Sequence, residues 1–201
     1  MQPRCKTLKS GMTLVTVPEK SASSVCVGIF VKSGSRHESD EKAGISHLIE
    51  HMLFKGTKKR SALDITLAVE GKGGSMNAYT SEESTCYYVH MPEGCLKEAM
   101  DILFDMYNHA AITEREFRQE KQVVIEEIKM YADEPDSVAM ENLQGLLFEG
   151  HPLGRPVAGS AKSLTPLTPA DLKNWIKEHY LPERTIVVVV GKFDEHEIHL
   201  G

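Results

Sequence analysis

No run in this sequence approaches the roughly 18 apolar residues that a membrane-spanning helix needs, and the opening Met1-Gln2-Pro3-Arg4-Cys5 lacks the apolar stretch of a secretory signal. A soluble, unexported chain is expected, hence a cytoplasmic one with no membrane partner. A surplus of basic charge is missing too: 23 Lys and Arg stand against 29 Asp and Glu, for a formal charge of -6. Nucleic acid and anionic membrane surfaces both reward Lys and Arg, so neither is an expected partner, whereas a neutral or basic polypeptide is better tolerated. Cys5, Cys26, Cys86 and Cys95 form no CxxC pair. Cys26 and Cys86 lie inside strand-like runs, so free thiols are expected in place of a disulfide framework. Repeats and low-complexity segments are also lacking.

What is present is enough for one well-buried core: 201 residues, 41% of them hydrophobic. Residues 13–17 and 25–31 are β-rich runs separated by a Ser-rich turn, which predicts an antiparallel start to a sheet. Helices are predicted over 43–53 and 61–69, the second stopped by Gly71, Gly73 and Gly74, and strands over 75–80 and 85–91. The period then becomes helical over 96–107, 113–131 (with Thr113 and Glu116 as a capping box) and 137–148. A Pro- and Gly-broken loop over 152–160, a helix over 168–180 and an apolar strand over 185–190 follow. Strands and helices mix without strict alternation, so the expected class is α+β, a mostly antiparallel sheet packed against helices. Asp194-Glu195-His196-Glu197 has the spacing of a further helix start, and the sequence stops at Gly201 before three turns are complete. One domain over residues 1–201, truncated before its last helix, is expected.

The chemistry concentrates in His47-Leu48-Ile49-Glu50-His51. Residues four apart share a helix face, so the two imidazoles can address one ion while Glu50 projects beside them. Setting His47 at zero, His51 falls at about 40° and Glu50 at about 300°, with Ile45, Leu48, Ile49, Met52 and Leu53 on the opposite arc. One face packs and the other is free for chemistry. A catalytic zinc usually has a third protein ligand and an open fourth position. On the helix over 113–131, Phe117, Val124, Ile128 and Tyr131 mark a core face, with Glu120 and Glu127 on its margin and Glu126 pointing away. Carboxylates beside an apolar stripe call for a cation, which a metal ion or a Lys or Arg at the helix edge would supply.

The order His-x-x-Glu-His reverses that of the common zincins and belongs to the inverzincins. Residues 43–57, Asn77-Ala78-Tyr79-Thr80 followed by Glu83, and His151-Pro152-Leu153-Gly154 resemble the pitrilysin, insulinase and mitochondrial processing peptidase family. The resemblance covers nearly the whole chain and implies the N-terminal domain of a zinc metalloendopeptidase with a processing-peptidase-like metallohydrolase fold. It makes His47, His51 and Glu127 the ligands of one Zn2+ per domain, Glu120 a supporting residue behind them and Glu50 the catalytic base. It further implies that peptide or unfolded polypeptide adds as a strand along a sheet edge at Asn77 and Ala78. The family pairs this domain with a second, homologous domain or subunit that supplies an Arg and a Tyr to the substrate, which these 201 residues do not contain.

Two other readings are open. A non-catalytic partner subunit of a two-chain peptidase would share the fold, although the intact His47, His51, Glu127 and Glu50 set argues against it. A lyase of the S-ribosylhomocysteine type shares the reversed motif but takes a downstream cysteine as third ligand, and Cys86 and Cys95 follow His51 too closely for that role.

Overall fold

The computed structural model describes residues 2–198. Six strands form one sheet: β1 (Arg4–Thr7), β2 (Thr13–Pro18), β3 (Ser24–Val31), β4 (Ser75–Thr80), β5 (Thr85–Pro92) and β6 (Thr185–Gly191). Their spatial order is β1-β2-β6-β3-β5-β4, and every neighbouring pair is antiparallel except β2 with β6. The helices are α1 (Ile45–Leu53), α2 (Ala62–Glu70), α3 (Leu96–His109), α4 (Glu114–Ala132), α5 (Pro135–Leu147), α6 (Ala161–Leu164) and α7 (Pro169–His179). The class is α+β, as the mixed periodicity predicts.

The expected antiparallel pairing of the first two apolar runs does not occur. β6 lies between them, with Gly28 opposite Val188 on one side and Val15 opposite Val188 on the other. An edge position would leave one side of this valine-rich strand unpaired, and insertion satisfies both of its backbone edges. β2 instead makes its hairpin with β1, through a turn in which Gly11 takes φ 97. β1 is exposed along its length, so no hydrophobic pattern announces it.

One face of the sheet is dry. Val25, Val27, Ile29 and Val31 of β3 are fully buried, with Val89 of β5 and Val187 and Val189 of β6 beside them. α1 and α3 lie over this face. Ile45, Leu48, Ile49 and Met52 are also fully buried, each contributing on the order of 1.5–3 kcal/mol. That apolar arc leaves His47, Glu50 and His51 facing away from the core.

α4 buries Phe117, Val124 and Ile125, but Tyr131, expected on its core face, is 39% exposed because the helix runs past the core at its C-terminal end. The Thr113 hydroxyl accepts from the Glu116 amide at 3.3 Å, and the return bond of the expected capping box is not among the described hydrogen bonds. The four cysteines are free, with Cys86 buried. The helix expected from Asp194 is a single 3-10 turn over Glu195–Glu197, and its expected continuation lies outside the described residues. Among the described residues no helix is long and apolar enough to cross a membrane.

Candidate metal centre

α1 begins at a position that few residues could occupy. Gly44 sits at φ 93, and an added Cβ would lie 2.4 Å from the Ala158 carbonyl oxygen. No side chain of the usual capping kind serves this helix. The buried Glu38 carboxylate accepts from the Gly44 and Ser46 amides, each at 2.8 Å, and so places negative charge where the helix dipole favours it. Burial nevertheless raises the Glu38 carboxyl above the usual carboxylate range, the two amide bonds opposing the shift.

From this fixed start, α1 presents His47 and His51 with ring centroids 4.8 Å apart. α4 crosses opposite and brings in Glu127. Its Oε2 lies 3.4 Å from His51 Nε2 and 3.8 Å from His47 Nε2. Among the described residues these three form the one group of His, Cys, Asp and Glu side chains whose ligand atoms come within 4.8 Å of one another. Tetrahedral zinc with bonds of about 2.0–2.2 Å separates its ligand atoms by roughly 3.3–3.5 Å, so the observed spacing fits with little movement. The donor chemistry fits as well. Burial, followed by the neighbouring His51, lowers His47 to about 4, so at neutral pH it presents a neutral imidazole able to give a lone pair.

Glu120 stands behind this group, 6% exposed. One of its oxygens lies 3.4 Å from His51 Nδ1, and Nε2 of the same ring faces Glu127. Its other oxygen pairs with Lys55 Nζ at 2.9 Å. The basic side chain foreseen as one partner for this buried carboxylate is thus present, and the same carboxylate also touches a histidine of the three-residue group.

Glu50 projects beside the histidines and accepts from the Thr80 hydroxyl at 2.6 Å. Burial raises its carboxyl above the usual range, while Thr80 and His51 pull it down. A carboxylate displaced upward and held in place is a better proton acceptor than a free one. Beyond Glu127, Tyr131 lines the same cleft, its phenol pushed up chiefly by the adjacent Glu127 charge.

This cleft, about 510 Å³, is walled by α1, α4, α5 and the edge strand β4. Ala78 and Thr80 line it, whereas Asn77 opens onto a neighbouring recess that shares Glu50 and His51 with it. The two residues expected to grip a peptide therefore face different sides of the strand. The exposed Asn77 side chain accepts from the Ala78 amide at 2.8 Å. Thr80, Lys55 and Glu38 are the neighbours of the site that the motif did not single out. The signal for Lys55 was available, since it follows His51 by four residues and returns to the same helical face. Thr80 lies in the segment 77–80 that carries the family resemblance, without a role assigned to it, and nothing local points to Glu38.

Comparison with known proteins places these residues in a wider setting. The sequence profile of insulinase, peptidase family M16, matches residues 13–161. The zinc protease YmxG of Bacillus subtilis is 38% identical over 189 residues, which are 94% of this chain and 46% of YmxG. A protease from Helicobacter pylori superposes with a TM-score of 0.92 at 30% identity, over 98% of this chain and 48% of its own. A Pseudomonas fluorescens domain described as an inactive M16 peptidase domain superposes with a TM-score of 0.90 over 98% of this chain and 48% of its own. At 17% identity that likeness shows the fold alone. The chain spans less than half the length of each of these relatives.

Proposed function

The chain belongs to the insulinase family, peptidase family M16, and on that premise we propose that it is the metal-binding domain of a zinc metalloendopeptidase acting on peptides held in extended conformation. The observation that carries the reading is the meeting of His47 Nε2, His51 Nε2 and Glu127 Oε2 with Glu50 alongside. In this reading the three converging side chains hold one zinc ion. When bound, zinc supplies a Lewis acid that polarises the scissile carbonyl and brings the pKa of a water toward about 7.

The remaining work falls to the chain's own groups. Glu50 takes a proton at its carboxylate and gives it up to the leaving amine. The Thr80 hydroxyl, donating to Oε2, holds that carboxylate in one orientation. Glu120 fixes the His51 ring. Among the described residues β4 pairs with β5 alone, so its outer backbone edge is available to an added strand. Ala78 and Asn77 would flank a substrate lying there. Because the chain spans less than half of its relatives, a second homologous domain or subunit is part of the proposal, closing the cleft over the substrate.

A non-catalytic partner subunit is the second reading, prompted by the inactive Pseudomonas domain of the same fold. The two separate on one experiment with the full-length protein and a quenched fluorescent peptide. Cleavage that a chelator abolishes and zinc restores is expected. The Glu127→Gln variant is expected to lose metal first and activity with it. A wild-type protein that binds zinc and cleaves nothing would favour the partner subunit, and one that binds no zinc would overturn both the ligand assignment and the enzyme.

A further inference from the structure

We propose that Lys55 is a positioning residue of the metal centre, the outer member of a chain Lys55–Glu120–His51 that fixes which nitrogen His51 offers to the metal. The inference rests on the reading of His47, His51 and Glu127 as ligands and goes one residue further out.

The geometry assigns each Glu120 oxygen one partner. Oε1 meets Lys55 Nζ at 2.9 Å, and Oε2 meets His51 Nδ1 at 3.4 Å. The side chain of Glu120 is 8% exposed, so water offers it little competition. A carboxylate at that depth is stable only when well paired, and its two partners here come from the same end of α1, one turn apart. Lys55 sits just past the helix, where its amide donates to the Met52 carbonyl at 3.1 Å, so its stem starts from a fixed point.

The chain matters because His51 stands between two acids. Glu127 Oε2 is 3.4 Å from Nε2, a separation equal to that between Glu120 and Nδ1. A neutral imidazole has one N–H, and either carboxylate could take it. If Glu127 took it, the nitrogen aimed at the metal would be a donor and could not be a ligand. Held by Lys55, Glu120 cannot turn away from Nδ1, and the N–H stays on the far side of the ring. Lys55 is also the one lysine or arginine paired with Glu50, Glu120 or Glu127 among the described ion pairs. A bound divalent ion and this lysine together balance those three carboxylates.

Charge and positioning predict opposite signs, so an experiment can separate them. A lysine acting only as a positive charge near the ion repels it, and its removal would tighten metal binding. A lysine acting through Glu120 aids binding, and its removal weakens it. Zinc affinity is to be measured on the full-length protein by competition with a chromophoric chelator, which requires no catalytic turnover. Lys55→Met is expected to weaken binding by about tenfold, the lower end of the effect of supporting residues behind a ligand. Lys55→Arg, which keeps the charge and the donors, should return within about twofold of the wild type. In a Glu120→Gln background the Lys55→Met change should add nothing further, since the residue through which it acts is already lost. If Lys55→Met does not fold, Lys55→Gln, uncharged and one atom shorter, applies the same test with an expected loss of several-fold.

Equal or tighter zinc binding by folded Lys55→Met or Lys55→Gln would overturn the role of Lys55 and leave the ligand assignment standing. Full additivity with Glu120→Gln would do the same. A wild-type protein that binds no zinc would overturn the reading of the centre, and this inference with it.

Discussion

Replacing Glu50 with Gln separates the two roles proposed for its carboxylate, keeping a place in the site and accepting a proton. The amide keeps the size of the side chain and a carbonyl oxygen able to accept the Thr80 hydroxyl, which now donates at 2.6 Å. It loses the basicity. Positioned acid–base groups contribute about 10²–10⁴-fold to a rate, or roughly 2.7–5.4 kcal/mol of barrier at 1.36 kcal/mol per tenfold. Glu50 lies outside the His47, His51 and Glu127 group, so zinc content should not change. Stability should move in the opposite direction to activity. Burial raises the Glu50 carboxyl above its ordinary value of 4.5, so over the interval above 4.5 the folded chain holds this proton more tightly than the unfolded chain does. Stability is then lost as pH rises through that interval, and at neutral pH the ionised group weakens the fold. Gln removes this burden. Metal-free Glu50→Gln should therefore melt higher than the metal-free wild type at pH 7, with the gap closing as pH falls toward 4.5. The assays are peptide hydrolysis by the full-length protein, metal analysis, and thermal melts after chelation at both pH values. A variant that cleaves at the wild-type rate would remove Glu50 from the chemistry, and one that melts lower at pH 7 would refute the burial argument.

Other perturbations follow from single contacts. Thr80→Val removes the hydroxyl that holds Glu50, and kcat should fall about tenfold at unchanged zinc content. That hydroxyl also pulls the Glu50 carboxyl down, so the acidic limb of the pH–rate profile should shift to higher pH in the variant. Glu38→Gln leaves one acceptor for the two amides that begin α1, at an expected cost of about 1–3 kcal/mol, read by urea titration or as a melting point lower by roughly 2–12 °C. An unchanged midpoint would show that Glu38 does not anchor the helix. Gly44→Ala meets both a positive φ and a Cβ 2.4 Å from the Ala158 oxygen, so loss of zinc binding together with a fall of several kcal/mol in stability is expected. A folded, zinc-binding variant would show that α1 tolerates a shifted start.

Much of the site was legible because helical geometry is local. The 3.6-residue period alone put His47, Glu50 and His51 on one side of α1 and the now fully buried Ile45, Leu48, Ile49 and Met52 on the other. It also marked Glu120 and Glu127 as acids on the edge of an apolar stripe, and the alternating runs bounding a short turn foretold β4 and β5. The pairing of strands was not legible. β6 enters the sheet between β2 and β3 although it follows them by some 150 residues, and no local pattern states which edge a strand will join. Tyr131 followed the stripe of α4 by its spacing, yet lines the cleft because periodicity does not say where the core stops. The residues that hold the chemistry in place share that limit: Thr80 reaches Glu50 across a separation of 30 residues, and Glu120 reaches His51 across 69. Residue type and period thus marked the candidate ligands and base, since both are local properties of the chain. Only the tertiary structure decided which neighbours orient them, because a hydrogen bond between distant segments exists only once the packing of both against a common core has brought them within 3 Å or so.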